Sequence, residues 1–508
     1  MILGDTEQTG GNRATLDDLF RRAGVRRAQA LALIDPPNIA DLTGGAPRQL
    51  TFAQADRAIS ALAHKLRGLG LPTDTVVAVQ LANTVDSVIA LLGILRARLI
   101  AAPMPLLWRT QEMVAALSRA GAKAIVTSAR IGASAPAEIA MQVAAELFPI
   151  RHICGFGRGL PDGVVPLDDV FAGGPAEFFQ PPARPGEAGA HVAAVTFDVA
   201  SDGLVPVARN HSELIAGGRA LFLEGGIAEG NNVLSTIPLG SFAGIATTMV
   251  PWLLGGGALA LHHGFDPAVF AEQCRIHDGA TVVLPGPALA PLTAAGLLGQ
   301  PIKMILALWR APEQLAAATP WPGDAALVDI ASFGETGLLP ARRGADRMPA
   351  PIPHGAVAVP RGAAGAATVI ETTRTKSGTL GLRGPMVPAQ IFPPAAAPAG
   401  APCTAPDGIV DTVFPCRLDR ATRTLALTGP PAGITAVGFY RFREREIDAV
   451  VAAADPAAVV AALPDAALGH RLAGSAREQA ATAAELQARG VNSLIAGAFR
   501  PRGKANAA

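Results

Sequence analysis

The chain has 508 residues, 50% hydrophobic against 16% charged, and its 42 basic side chains nearly cancel 41 acidic ones. That length exceeds a single compact core and predicts two or more domains. The near-zero net charge excludes a field that would draw the chain to nucleic acid or an anionic membrane surface. Four cysteines, Cys154, Cys274, Cys403 and Cys416, lie far apart with no C-x-x-C spacing, so neither a metal site nor a disulfide framework is indicated. A reducing, cytoplasmic location fits this usage. The N-terminus has no basic run followed by an apolar one, so no signal peptide is expected.

In chain order, Leu50–Leu71 opens with a β-type triplet and continues with Ile59, Leu62 and Leu66 at helical spacing until glycines end it. Thr75–Leu81 reads as a buried strand, Asn83 precedes an apolar helix through Arg98, and Ile100–Pro105 and Ala124–Thr127 read as further strands. Strands alternating with helices predict an α/β fold, with parallel-rich sheets covered on both faces. Val195–His211 reads as strand, Gly-containing loop and then a helix opened by Ser212, the arrangement in which phosphate loops occur. Val233–Leu261 carries no charge and is long enough to span a bilayer. Pro238, Pro251 and Gly255–Gly257 break it into pieces that suit buried strands and a helix, so no transmembrane segment is expected. Phe392–Asp407 is Pro/Ala-rich and aperiodic, and reads as a loop or linker.

A series of short motifs follows a single order. The stretch VTFDVASDGLVPVARNH resembles, in altered form, the S-G-T-T-G-x-P-K-G phosphate loop of the adenylate-forming superfamily, with Ser201, Gly203, Pro206 and His211 near their family places. Before it, Asp74, Val76, Ala78, Leu81 and Asn83 resemble D-x-V-A-V-x-L-x-N. After it, IPLGSFAG resembles P-L-x-H-x-x-G, LWRAP stands where the family has S-G-G-A-P, and FGETG stands where it has Y-G-x-T-E. DGIVDTVFPCRLD lies on D-G-W-x-x-T-G-D-x-x-x-x-D, and GPPAGITAVGFYRFREREID lies without gaps on G-R-x-K-D-x-I-x-x-x-G-Y-x-x-x-x-x-E-I-E. From Leu50 to Gly474 the chain is thus identified as a divergent acyl-CoA-synthetase-like member of that superfamily. The resemblance implies a large N-terminal AMP-binding-like domain over residues 1–428 and a small, shortened α+β domain over 429–508.

The resemblance also implies ATP and Mg²⁺ as cofactors, with a carboxylate joined to the α-phosphate. That chemistry needs cations and donors placed in advance. The positions that supply them are altered: Val207 stands for the phosphate-loop lysine, Phe414 for the ribose-binding aspartate, Pro430 for the hinge arginine, Gly433 for the hinge aspartate and Ser241 for the active-site histidine. Trp309 and Arg310 stand for the two glycines beside adenine. The cofactor-binding candidates carried over are Ser201, Gly203, Arg209, Trp309, Phe333, Thr336, Thr412 and Phe414. Arg209 either stands in for the missing lysine or is the first basic residue of a solvated helix. The catalytic candidates are Lys504, four residues from the end, and Glu335, which reaches the Mg²⁺-ligand place only if the register slips by one.

Each charged hydrogen bond to a nucleotide contributes about 1.5–3 kcal/mol, so losing the lysine, aspartate and arginine together costs roughly 5–9 kcal/mol. The expectation is a retained fold with weak or absent ATP-dependent adenylation, binding a small fatty or aromatic acid, its thioester, or a protein partner. An active acyl- or aryl-CoA ligase with relocated contacts and a structural subunit of a synthetase complex are the alternatives. Trp309 and Phe414 are expected to fill one nucleotide cleft, and Pro430 and Pro431 to stiffen the hinge.

Overall fold

The computed structural model describes residues 14–500 apart from 174–178, 300, 362, 364, 390–406, 439 and 466–467. Lys504 and most of the 392–407 stretch lie outside the described residues.

The strand–helix alternation forms two parallel-rich sheets. The first orders Val165–Pro166, His152–Phe156, Ala124–Ser128, Val76–Val79, Ile100–Pro103, Val192–Ala200 and Gly203–Asn210, parallel throughout except for the last strand. The second runs from Gly337–Arg342 through Ala326–Phe333, Met304–Trp309, Thr281–Pro285, Val233–Ser235, Leu259–Leu261 and Leu31–Ile34 to Gln49–Thr51, with antiparallel strands only at its two ends. Both sheets contribute to one large hydrophobic cluster, joined by Val77 and Ala101 from the first and Leu259 and Val283 from the second. The helix Val85–Arg96 belongs to that cluster and is buried at every residue, so its sequence is apolar on every side except at Asp86, Ser87 and Arg96 near its ends. A third, antiparallel sheet of six strands spans Ile352–Pro353 to Thr424–Leu427 in sequence, and its Ile370, Leu380 and Phe414 join the same cluster.

Helix Phe52–Gly68 starts at Thr51, whose side chain and that of Gln54 complete a reciprocal cap. The uncharged stretch folds as strand Val233–Ser235, a helical segment from Phe242 to Gly255 and strand Leu259–Leu261. Among the described residues no helix is long and apolar enough to cross a membrane. That segment packs closely on helix His211–Gly225, because a Cβ at Gly218 would stand 2.2 Å from the Val250 side chain.

Two expectations for Val195–His211 need correction. The segment between Ala200 and Gly203 is not an open loop leading to a helix. Ala200 pairs directly with Gly203, so Ser201-Asp202 is a two-residue turn between long antiparallel strands. Alternating burial along Gly203–Asn210 drives this, since its apolar face has a sheet to join. The helix then begins at His211 and is capped by Asn210, not Ser212, with Glu213 completing the capping box.

The C-terminal part has its own core. Val437, Ile447, Val451, Leu472, Leu486, Ile495 and Phe499 form a separate hydrophobic cluster. Two hairpins, Ile434–Val437 with Tyr440–Arg443 and Val459–Asp465 with Gly469–Ser475, pack there with helices Glu444–Ala454 and Gln479–Ala488. The architecture is a large α/β domain followed by a small α+β domain.

Candidate active site

The ends of several strands meet in a buried network of charge. Arg209, in the last strand of the first sheet, is fully buried and donates to the backbone carbonyls of Glu335, Thr336 and Met386, the Thr336 bond being 3.1 Å. Its guanidinium lies 3.8 Å above the Phe242 ring. Arg209 is therefore neither a solvated helical residue nor a free cation. A charged strand residue with an apolar face toward the core can stay buried because carbonyls and a ring replace its water. Burial lowers its pKa to about 10, with Glu213, Glu335 and Asp198 opposing the shift.

Glu335 is buried, accepts from the Phe242 backbone N–H at 2.7 Å and pairs with Arg310 at 3.2 Å. Burial, with Asp198 nearby, pushes its carboxyl above the ordinary range, and Arg310 and Arg209 oppose this. The backbone N–H of Glu335 donates to Asp198 Oδ2 at 2.9 Å. The other oxygen of Asp198 pairs with Arg441, which comes from the small domain. Gly334, at φ +57, sits against this pair, and a Cβ there would fall 2.1 Å from Asp198 Oδ2. Only glycine leaves the pair room.

The other candidates separate into three places. Phe333 and Phe414 are both buried and meet edge-on, ring centroids 5.6 Å apart at 84°. Thr412 is buried and donates to the Leu380 carbonyl at 2.8 Å, and Thr336 is buried beside Arg209. Ser201 and Gly203 lie at the hairpin turn, Ser201 exposed and Gly203 buried. Trp309 corrects the single-cleft expectation. Its neighbour Leu308 faces the large shared cluster that holds Phe414, whereas Trp309 faces a different cluster with Phe270 and Trp321. Strand alternation puts the two on opposite faces of the sheet. There the indole donates to Asp329 at 2.9 Å, and Asp329 is also paired with Arg343 at 2.7 Å. A cavity of about 610 Å³ adjoins Trp309, Trp321 and Arg343 there, with Asp465 and Gly469 of the small domain also in its wall.

Asp198 and Arg441 were missed from sequence. A lone carboxylate in the apolar run VTFDVA was the available signal, since a buried carboxylate requires a partner. Tyr440 was matched as a motif residue without a role. It is half-buried, its hydroxyl accepts from the Leu107 backbone N–H at 3.2 Å across the two domains, and desolvation pushes its phenol up to about 12. A chamber of about 220 Å³ lies beside it, between the domains, with Arg310 in its wall.

A large domain of two parallel-rich sheets with a small α+β domain docked over their strand ends is the fold of adenylate-forming enzymes. Solved structures bear this out. An artificially fused adenylation–PCP di-domain, NpsA-ThdA from Klebsiella oxytoca, superposes with a TM-score of 0.67 at 15% identity, covering 95% of this chain and 92% of that one. The apo structure of MbtA from Mycobacterium smegmatis gives 0.60 at 21% identity, with 95% and 90% covered. The amide bond synthetase McbA from Marinactinospora thermotolerans gives 0.63 at 18% identity, with 94% of each chain covered. The AMP-binding enzyme family matches residues 20–297, and the chain belongs to that family. Among the curated proteins no relative matches in sequence.

Proposed function

We propose that this chain keeps the adenylating-ligase fold with weak or lost ATP-dependent adenylation, and keeps a role in binding an acyl or aryl acid, its thioester or a protein partner. One observation carries the reading: the charged groups at the strand ends are spent on one another. Arg209 is held by three carbonyls, Glu335 by Arg310 and the Phe242 N–H, and Asp198 by Arg441. The place of the phosphate-loop lysine is the buried Val207, and that of the ribose aspartate is Phe414, packed on Phe333. A two-residue turn at Ser201-Asp202 offers no stretch of loop to wrap a triphosphate. These residues do not fit ATP and Mg²⁺. The test is pyrophosphate release across a panel of carboxylic acids, expected at background. Turnover with any acid that disappears on Arg209→Ala overturns the reading.

A second reading is an active ligase with relocated contacts, in which Arg209, Arg310, Glu335 and Lys504 substitute. It is favoured by Arg310, whose Nε has no partner among the described residues although the side chain is only 10% exposed. The same assay decides between the two.

We place the division between the domains at residues 428 and 429. Supporting it, the cluster over Val437–Phe499 shares no member with the larger ones. The small domain takes one preferred orientation in this reading. Gly433, at φ +69, follows Pro430 and Pro431, and Arg441, Tyr440 and His470 each contact the large domain, His470 meeting Gln314 at 2.9 Å.

A further inference from the structure

Away from the strand ends, helices Leu16–Arg27 and Phe52–Gly68 lie side by side on the outside of the large domain. They run in opposite directions: the Ala53 N–H donates to the Ala28 carbonyl at 2.9 Å, and Arg96 ties Asp17 at one helix start to Asp56 and Ser60 further along the other. A furrow of about 430 Å³ opens between them. Each helix lines it at the same spacing, from Phe20 to Ala28 and from Phe52 to Ser60, so it follows both helices for about 12 Å. The rings of Phe20 and Phe52 are sealed beneath it, 5.8 Å apart and both against Trp252. Above those rings stand only Gly24, Ala28 and Ala53, too small to fill the space, and Phe179 closes a side.

The rim is cationic. Arg96 is 1% exposed and takes up both nearby carboxylates, Asp17 and Asp56, each at 2.7 Å. Arg21 spends its Nε on the shared Asp17 at 3.1 Å and remains partly exposed. Arg57 is exposed and has no ion pair among the described residues. It stands in the second turn of its helix, away from the C-terminal end where the dipole favours a cation. Charge of this kind beside a recessed apolar floor is complementary to an acidic, amphipathic occupant. The furrow is narrower than a helix, which is about 10–12 Å across with its side chains, so a helix would rest on the rim and send side chains in. A bilayer needs apolar side chains that protrude, and here only Val25 does so.

We propose that this furrow docks an acidic amphipathic helix of a protein partner, its large apolar side chains entering over Gly24 and Ala53 and its carboxylates meeting Arg21 and Arg57. Such a helix presents anchors at i, i+3 or i+4 and i+7, which match a furrow two helical turns long. The inference goes beyond the nucleotide reading and stands apart from it, since neither Arg209, Glu335, Asp198 nor Arg441 lines the furrow.

The probe is a fluorescein-labelled, lactam-stapled helical peptide of about twelve residues, with Leu at i, i+3, i+4 and i+7 and Glu on its outer face. Its anisotropy is followed as the full chain is added. We expect saturable binding at about 100 µM or tighter, at least tenfold weaker when Ala replaces the Leu anchors and at least tenfold weaker when Lys replaces Glu. Two substitutions test the place. Arg57→Glu reverses an exposed charge, and Gly24→Leu fills the furrow where an added Cβ meets only the Phe52 Cβ, at 4.0 Å. Leu is also the better helix former, so the fold is kept. Each should weaken binding at least tenfold. No saturable binding, equal binding of the Lys peptide, or an unchanged affinity in Gly24→Leu overturns the proposal. Co-sedimentation with phosphatidylglycerol vesicles and dimerisation of the full chain are measured alongside. Either one, if present and lost in Gly24→Leu, gives the furrow to a lipid surface or a second copy and overturns the proposal as well.

Discussion

Single residues in this chain hold conformations that their neighbours impose. Val413 has φ +59, a left-handed backbone that a β-branched side chain rarely adopts, at the place where the adenylate-forming pattern has glycine. The backbone shape of that glycine persists, held by the Asp411 side chain accepting from the Val413 N–H at 2.8 Å. Such strain costs about 1–3 kcal/mol, against about 0.4–1 kcal/mol lost through the freer unfolded chain when glycine is introduced. Val413→Gly should therefore leave stability unchanged or raise it by about 1 kcal/mol, measured as a denaturant midpoint; a loss of more than about 1 kcal/mol would show that Val413 packing outweighs the strain. Gly334 presents the opposite case. Gly334→Ala drives a methyl into the Asp198–Arg441 pair and should cost about 3 kcal/mol or more, as breaking a buried pair does. A cost under about 1 kcal/mol would mean the pair relaxes freely.

At the scale of elements, legibility followed the range of the signal. Apolar spacing in Leu50–Leu71, glycines after a helix and prolines that divide Val233–Leu261 are local features, and the strands and helices there came out within a few residues of expectation. Trp309 went astray because face assignment needs the sheet around it, and periodicity along six residues does not say which face is which. The Asp198–Arg441 and Asp198–Glu335 contacts join residues 243 and 137 positions apart, a separation at which no spacing rule operates. A second buried charge cluster, also invisible locally, ties the start of helix Val85–Arg96 to the neighbouring elements. Asp86 pairs with Arg48 at 2.9 Å, and Asp35 accepts from the Val85 N–H at 2.7 Å. Burial raises Asp86 to about 7, with Arg48 opposing and Asp35 and Asp168 adding to it. Its folded pKa exceeds the ordinary 3.8, so the folded state holds the extra proton between about pH 4 and 7, and stability falls as pH rises through that window. Asp86→Asn removes this slope. The Tm difference between Asp86→Asn and the parent should move in the variant's favour from pH 5 to pH 8, and a constant difference would contradict the assignment.

For the whole molecule, the charge network does two things at once: it occupies the strand ends and it fastens the small domain. Asp198→Asn should weaken the hold on Arg441 and speed proteolysis near residues 428–434, with little change in far-UV circular dichroism; unchanged cleavage would mean that the Tyr440 and His470 contacts suffice alone. In the proposed function, a chain with the fold of adenylate-forming enzymes has closed its nucleotide contacts by pairing them internally. Calorimetric titration of the full chain with ATP and Mg²⁺ tests this most directly. Losing roughly 5–9 kcal/mol of charged contacts places the dissociation constant at about 1 mM or weaker, so the account predicts no saturable heat at micromolar protein and submillimolar ATP. A saturable isotherm with a dissociation constant of about 10 µM or tighter, lost on Arg209→Ala, would contradict it.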